Sequence, residues 1–350
     1  MQTISRGCSK IRQIIFVLIK KTCLKYVYSL VHMQTNTPNL MGDDLTVKTI
    51  ESTTNSGNSF FNSIPVLPIN FEEYHPSNID VWDKYITIGN EKDKATNAII
   101  TAKFPYLIES EKGQGKTLLI HTICKENNIA LVEEPVGSGT KKYDLIGSKE
   151  INKDGTFFNL GILPKAIEVA NHFGHACLYC DEGTAQEHEI QKWWNSICDG
   201  RKSVFANGKI YKVNSNAKLS IVWTINPAGY SGINTMTEDL RSRFIGSVWD
   251  YPTNNELDKV INWDKISYPT VRKPLLTLVQ DVHSLKMKGD VEYALSIRDI
   301  AQFCDYYRDM ETSDKVLENA IMEVILIKYS DPAERELVKI RANDTFGVNL

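Results

Sequence analysis

The stretch from Tyr106 to Thr117, YLIESEKGQGKT, limits what this chain can fold into more than any other. Tyr106, Leu107 and Ile108 suit a buried strand. A loop with two glycines follows, and Lys116-Thr117 then opens an apolar run, Leu118-Leu119-Ile120, that suits a helix. Strand, Gly-rich loop and helix in that order build a phosphate cradle. Backbone N–H groups of the loop converge on anionic oxygens, the helix N-terminus adds partial positive charge, and Lys116 adds a full one. Thr117 offers a hydroxyl to Mg²⁺. The phosphate-binding segment therefore comprises Ser110, Glu111, Lys112, Gly113, Gln114, Gly115, Lys116, Thr117 and Leu118. Ser110 stands where the pattern has its first glycine, and a serine can still make that turn.

The chain has 350 residues, enough for one large or two modest domains with real cores. Its net charge of −3 gives no global basic field for gripping nucleic acid or a membrane. Seven cysteines, odd in number and irregular in spacing, favour a reduced, cytoplasmic protein over a disulfide framework.

Residues 1–66 are expected to be a basic tail and disordered linker. The part to Met33 carries Arg6, Lys10, Arg12, Lys20, Lys21 and Lys25 and no acid. Its longest apolar run, Ile14 to Ile19, is too short to span a bilayer. The segment can be read as an amphipathic helix, a targeting peptide, or an upstream extension with Met33 as the working start. The last is the simplest reading. Residues 34–65 are rich in Asn, Thr, Ser and Gly, as linkers are.

The body alternates strands with helices. Phe71, Tyr74, Trp82 and Tyr85 anchor an entry segment, and a helix is expected over 91–102. Further strands are expected at 129–132, 176–180, 219–224 and 246–249, with helices at 163–173 and 189–197. Two hairpins are expected, one turning at Lys153-Asp154-Gly155 and ending in Phe157-Phe158, the other at Asn207-Gly208. Beyond Pro252 the strands stop, and helices are expected at 271–286, 297–310 and 314–329. That pattern means an α/β domain over 67–252, a helical one over 253–332, and a tail over 333–350.

Asp181-Glu182 ends the third strand, at the sheet edge from which the phosphate loop also emerges. Asp181 there holds the Mg²⁺ water shell, and Glu182 orients and deprotonates an attacking water. Asn226, in Thr224-Ile225-Asn226-Pro227, ends the next strand and offers an amide to that water or to the terminal phosphate. Arg241 and Arg243 lie in a short helix spanning 237–244, and arginine is the usual cation supplied across a subunit boundary in phosphoryl transfer. Ser296 and Asp299 form a capping-box pattern that aims Arg298 from the first turn of a helix. His172, His175, Cys177 and Cys180 suggest zinc, but Cys177 and Cys180 lie three apart on an expected strand and so face opposite sides. Buried thiols are the default reading.

Taken together, these motifs resemble an AAA+ ATPase, more narrowly the MoxR-like and dynein-related branch that includes the CbbQ/NorQ and gas-vesicle ATPases. Residues 110–117 match Walker A and Asp181-Glu182 match Walker B. Asn226 matches sensor 1, Arg243 the arginine finger with Arg241 as second candidate, and Arg298 sensor 2. The two hairpins resemble the family's helix-2 insert and pre-sensor-1 hairpin. The resemblance covers about residues 88–250 well and the lid to about 329 more loosely. It implies a P-loop NTPase three-layer sandwich with parallel sheet order 5-1-4-3-2, followed by a small helical lid. It also implies ATP and Mg²⁺ as cofactors and a homo-oligomeric ring, usually hexameric. Its client would be a protein, often one with a von Willebrand A domain, remodelled in a chaperone-like way. Phe157-Phe158 would then face the ring's pore or pack inside the insert. The alternative reading is a nucleic-acid motor or a GTP-using restriction-type subunit, with Lys202, Lys209, Lys212 and Lys218 touching phosphates. Glu187, Glu189 and Asp199 lie near them in sequence and favour a mixed surface.

Overall fold

The computed structural model describes residues 64–350 apart from 134–135, 228–233, 262, 264–268 and 311–314. The expected tail and linker lie outside the described residues up to 63. At its end the linker is engaged: Pro65 O accepts from Phe158 N at 2.8 Å, and Leu67 N donates back to Phe158 O at 3.0 Å.

In chain order the first half runs α1 (Glu91–Thr101), β1 (Tyr106–Glu109), α2 (Lys116–Glu126), β2 (Ala130–Glu133), α3 (Lys142–Ile146), β3 (Gly147–Asn152), β4 (Gly155–Leu160), α4 (Ile162–Phe173) and β5 (His175–Cys180). Short helical turns α5 (His188–Gln191) and α6 (Asn195–Cys198) follow, then β6 (Ser203–Ala206), β7 (Lys209–Lys212), β8 (Lys218–Ile225), α7 (Glu238–Arg241) and β9 (Ile245–Val248). Strands β1, β2, β5, β8 and β9 form one parallel sheet in the order β2-β5-β8-β1-β9. Counted within that sheet from its other edge, this is the expected 5-1-4-3-2. The two hairpins, β3-β4 and β6-β7, stand as separate antiparallel pairs.

The inner strands are buried on both faces, as parallel sheets covered by helices require. β5 shows the alternation directly. Ala176, Leu178 and Cys180 join the core under α4, whereas Cys177 and Tyr179 join the core under α1 and α2. Cys177 and Cys180 thus face opposite sides, and His172 stacks on Phe71 at 4.1 Å. These residues form no common ligand set.

The helical half comprises α8 (Asn254–Val260), α9 (Pro269–Lys288), α10 (Ile297–Asp309), α11 (Val316–Ala320) and α12 (Pro332–Phe346) around their own apolar cluster. Three expectations need correcting. The 189–197 helix is instead broken into α5, a 3-10 turn and α6. The 314–329 helix begins as α11 and then widens into a π turn at Ile321–Ile325 and tightens at Leu326–Lys328. Residues 333–350, expected as a tail, carry α12. Asp331 caps it, accepting from Ala333 N and Glu334 N, and Pro332 occupies its first turn. Val338 and Ala342 are fully buried in the lid cluster. So narrow an apolar stripe, two residues among charged ones, hides the helix in the sequence.

Candidate nucleotide site

β1 delivers the loop to the carboxyl edge of the sheet. Gly113 and Gly115 adopt φ of 72° and 81°, a left-handed conformation that glycine reaches without cost. A Cβ on Gly113 would stand 2.5 Å from Ser296 Oγ, so glycine also lets the lid close onto the loop. Lys116 opens α2 and turns back beneath the loop. Its Nζ donates to Ser110 O at 2.7 Å, Glu111 O at 3.0 Å, Ser110 Oγ at 3.2 Å and Asn226 Oδ1 at 3.2 Å. Burial pushes the Lys116 ammonium down to about 8, against the opposing pull of Asp181, Glu182 and Glu111. Ser110, fully buried, therefore does more than turn the chain: its hydroxyl holds the lysine.

The acids lie one strand further across the β8 boundary. Thr117 Oγ1 donates to Asp181 Oδ2 at 3.2 Å, and Thr224 Oγ1 donates to Asp181 Oδ1. Tyr179 OH reaches Thr117 Oγ1 at 3.2 Å and Thr224 Oγ1 at 3.3 Å from below. Burial and the neighbouring Asp181 charge keep that phenol protonated, so it serves as a donor. Glu182 sits at φ 49°, a left-handed conformation costing roughly 1–2 kcal/mol in a residue with a Cβ. The turn behind it is forced by Gly183, where a Cβ would lie 2.2 Å from the ring of Trp223. Asn226 joins the two halves. Its Oδ1 accepts from Lys116 and its Nδ2 donates to Glu182 Oε1 at 3.2 Å.

Above these groups opens a cavity of about 620 Å³. Lys112 to Leu118, Asp181, Glu182 and Asn226 line one end, and Arg298 reaches it from the lid. The capping box at Ser296 and Asp299 fixes the first turn of α10, as the spacing implies. The other end is apolar: Ile86 and Ile88 from the entry segment face Val260, Ile261, Ile297 and Ala301 of the lid. None of these apolar residues carries a signal legible in the sequence. Tyr179 and Thr224, which hold Thr117 and Asp181, were also missed, although strand alternation places both on the site's side.

Three expected residues depart from this cluster. Glu111 turns its side chain away to pair with Lys286 of α9 at 2.7 Å, tying the loop to the lid. Arg243 does not line the cavity. It pairs with Asp239 Oδ1 at 2.9 Å and borders a second cavity with Trp193, Asn195, Asp199 and Phe205. Arg241 pairs with Glu109 at 3.2 Å.

A hydroxyl and a carboxylate side by side, Thr117 and Asp181, are the hard-oxygen donors that Mg²⁺ takes. Sheet order, Gly-rich loop, paired acids, strand-end amide and a lid over one cavity all coincide here. No family model matches the chain. Among known proteins, the denitrification regulatory protein NirQ of Stutzerimonas stutzeri is 24% identical over 177 residues, 51% of this chain and 62% of its own length. Midasin of Giardia intestinalis is 25% identical over 208 residues, 57% of this chain and 4% of midasin. The chain is thus similar to regulatory and dynein-related AAA+ proteins, and its sheet order and Gly-rich loop are those of a P-loop NTPase fold. An uncharacterized protein of Staphylococcus saprophyticus is also similar, 26% identical over 239 residues that make up 66% of this chain and 87% of that protein. No helix among the described residues of the chain is long and apolar enough to cross a membrane.

Proposed function

We propose that the chain binds and hydrolyses ATP with Mg²⁺ as one subunit of a hexameric ring whose nucleotide pockets are shared between neighbours, and that hydrolysis remodels or activates a partner protein. The observation that carries this is the convergence of Lys116, Thr117, Asp181, Glu182 and Asn226 on a single cavity. Lys116 and the loop N–H groups bind the phosphates. Thr117 and Asp181 are the residues that hold Mg²⁺, which when bound neutralises phosphate charge. Glu182 orients a water and takes its proton, and Asn226 fixes the Glu182 carboxylate in place. Arg298 stabilises charge from the lid.

Arg243 fits a role across the subunit boundary, because its guanidinium is held outside its own subunit's cavity. The NirQ relatives are regulatory proteins by name, which supports a regulatory role. By the resemblance that client would carry a von Willebrand A domain. The pore reading narrows to Phe157, since Phe158 packs into the sheet core. The nucleic-acid reading loses ground, because two of its four lysines are used internally. Lys202 Nζ donates to Leu219 O at 2.6 Å, and Lys218 Nζ donates to Ile100 O at 3.1 Å.

The test is complementation. Arg243→Ala and Glu182→Gln should each lower turnover, on the order of a hundredfold or more, while binding ATP. Mixed together they should regain part of the activity. No regain at any mixing ratio contradicts the shared site.

A further inference from the structure

Residues 79–89 form one wall of the cavity's apolar end, through Trp82, Tyr85, Ile86 and Ile88, yet no helix or strand holds them. A wall of irregular backbone needs side chains to fix it. Here it is pinned at one end by a carboxylate of α1 and at the other by a histidine and a lysine of α2. At one end Glu91, the first residue of α1, takes three donors: Ile88 N at 2.7 Å and Tyr85 OH at 3.2 Å on Oε1, and Gly89 N at 2.8 Å on Oε2. The Tyr85 ring so held lies over the loop, 3.5 Å from where a Cβ on Gly115 would stand. At the other end His121 of α2 lies 2.8 Å from Asp80 O through Nδ1 and 2.7 Å from Glu133 Oε2 through Nε2. Lys125 Nζ adds a bond to Ile79 O at 2.8 Å, and Trp82 packs edge-on against His121.

We propose that Glu91 is a positioning residue for the nucleoside part of the ligand, with His121 and Glu133 anchoring the far end of the same strap. Glu91 lies outside the phosphate end, so it sets the affinity for the base and sugar without changing the hold on phosphates. This rests on the ATP reading above. Charge-assisted hydrogen bonds are the strong kind, and losing them leaves the half-buried Ile88 N–H without this partner. The strap would then sample positions in which Ile86, Ile88 and Tyr85 no longer face the lid's Val260 and Ile261.

The test compares two probes on the full chain: a non-hydrolysable ATP analogue and inorganic tripolyphosphate, each with Mg²⁺. Glu91→Ala should weaken the ATP analogue by about tenfold and leave tripolyphosphate within about twofold. Glu91→Gln should fall between, because its amide oxygen can still accept at one of the two positions. Tyr85→Phe, which keeps the ring and removes one bond, should fold even if Glu91→Ala does not, and should weaken the ATP analogue alone by about threefold. Parallel loss of both probes, or no loss of either, overturns the proposal. If the unmodified chain binds neither probe, the ATP reading itself falls; if it binds both and the variants do not separate them, only the role of Glu91 falls.

Discussion

The two ends of the main cavity are built on different principles. The phosphate end is made of strand ends and one helix start, so its side chains are placed by the sheet ladder and by each other. Lys116, Asn226 and Glu182 form a continuous bonded chain across three elements. The apolar end is made of an irregular strap and the lid, and the lid is tethered elsewhere, to the phosphate loop by Glu111–Lys286 and to the segment after β9 by the stacking of Tyr251 on His283 at 3.9 Å. The first is rigid because many bonds share few residues. The second depends on how the lid and strap sit, and so is the end that conformational change would alter.

That contrast can be broken by variants confined to one end. Lys116→Ala should have the largest effect, removing binding of both ATP and tripolyphosphate by on the order of a hundredfold, as read by equilibrium titration. Survival of tripolyphosphate binding would mean that the loop is not the phosphate cradle. Ala301→Phe fills the apolar end and should weaken ATP by about tenfold while sparing tripolyphosphate. Lys286→Ala removes the partly buried tether to Glu111. It should raise the KM for ATP by about two- to fivefold with kcat little changed, because it loosens the lid and not the acids. Ser110→Gly is the smallest test, with a shift of about threefold or less expected in ATP affinity. Weaker binding would show that the Ser110 hydroxyl supports Lys116, whereas tighter binding would show that the serine only obstructs the turn.

The same contrast explains what the sequence discloses. The phosphate end was legible because its chemistry sits in contiguous strings at strand ends: GQGKT, DE and TINP. Each fixes its own local conformation, and strand alternation aims the side chains. The apolar end was illegible because Ile86, Ile88, Val260 and Ile261 are ordinary hydrophobic residues whose meeting depends on lid packing. α12 escaped notice for a related reason: only Val338 and Ala342 of its fifteen residues are fully buried. Arg243 could be singled out by type, but its partner Asp239 and its place beside a second cavity came only from the fold.

The most direct test of the nucleotide site is Glu182→Gln, followed side by side for ATP binding and phosphate release. The change removes the carboxylate base while keeping an oxygen for Asn226 to bond. The account predicts ATP affinity within about threefold of the unmodified chain and phosphate release reduced on the order of a hundredfold or more. Unchanged phosphate release would contradict it, because among the described residues lining the cavity Glu182 is the carboxylate that Asn226 holds, Asp181 is bonded to Thr117 and Thr224, and Asp83 belongs to the strap.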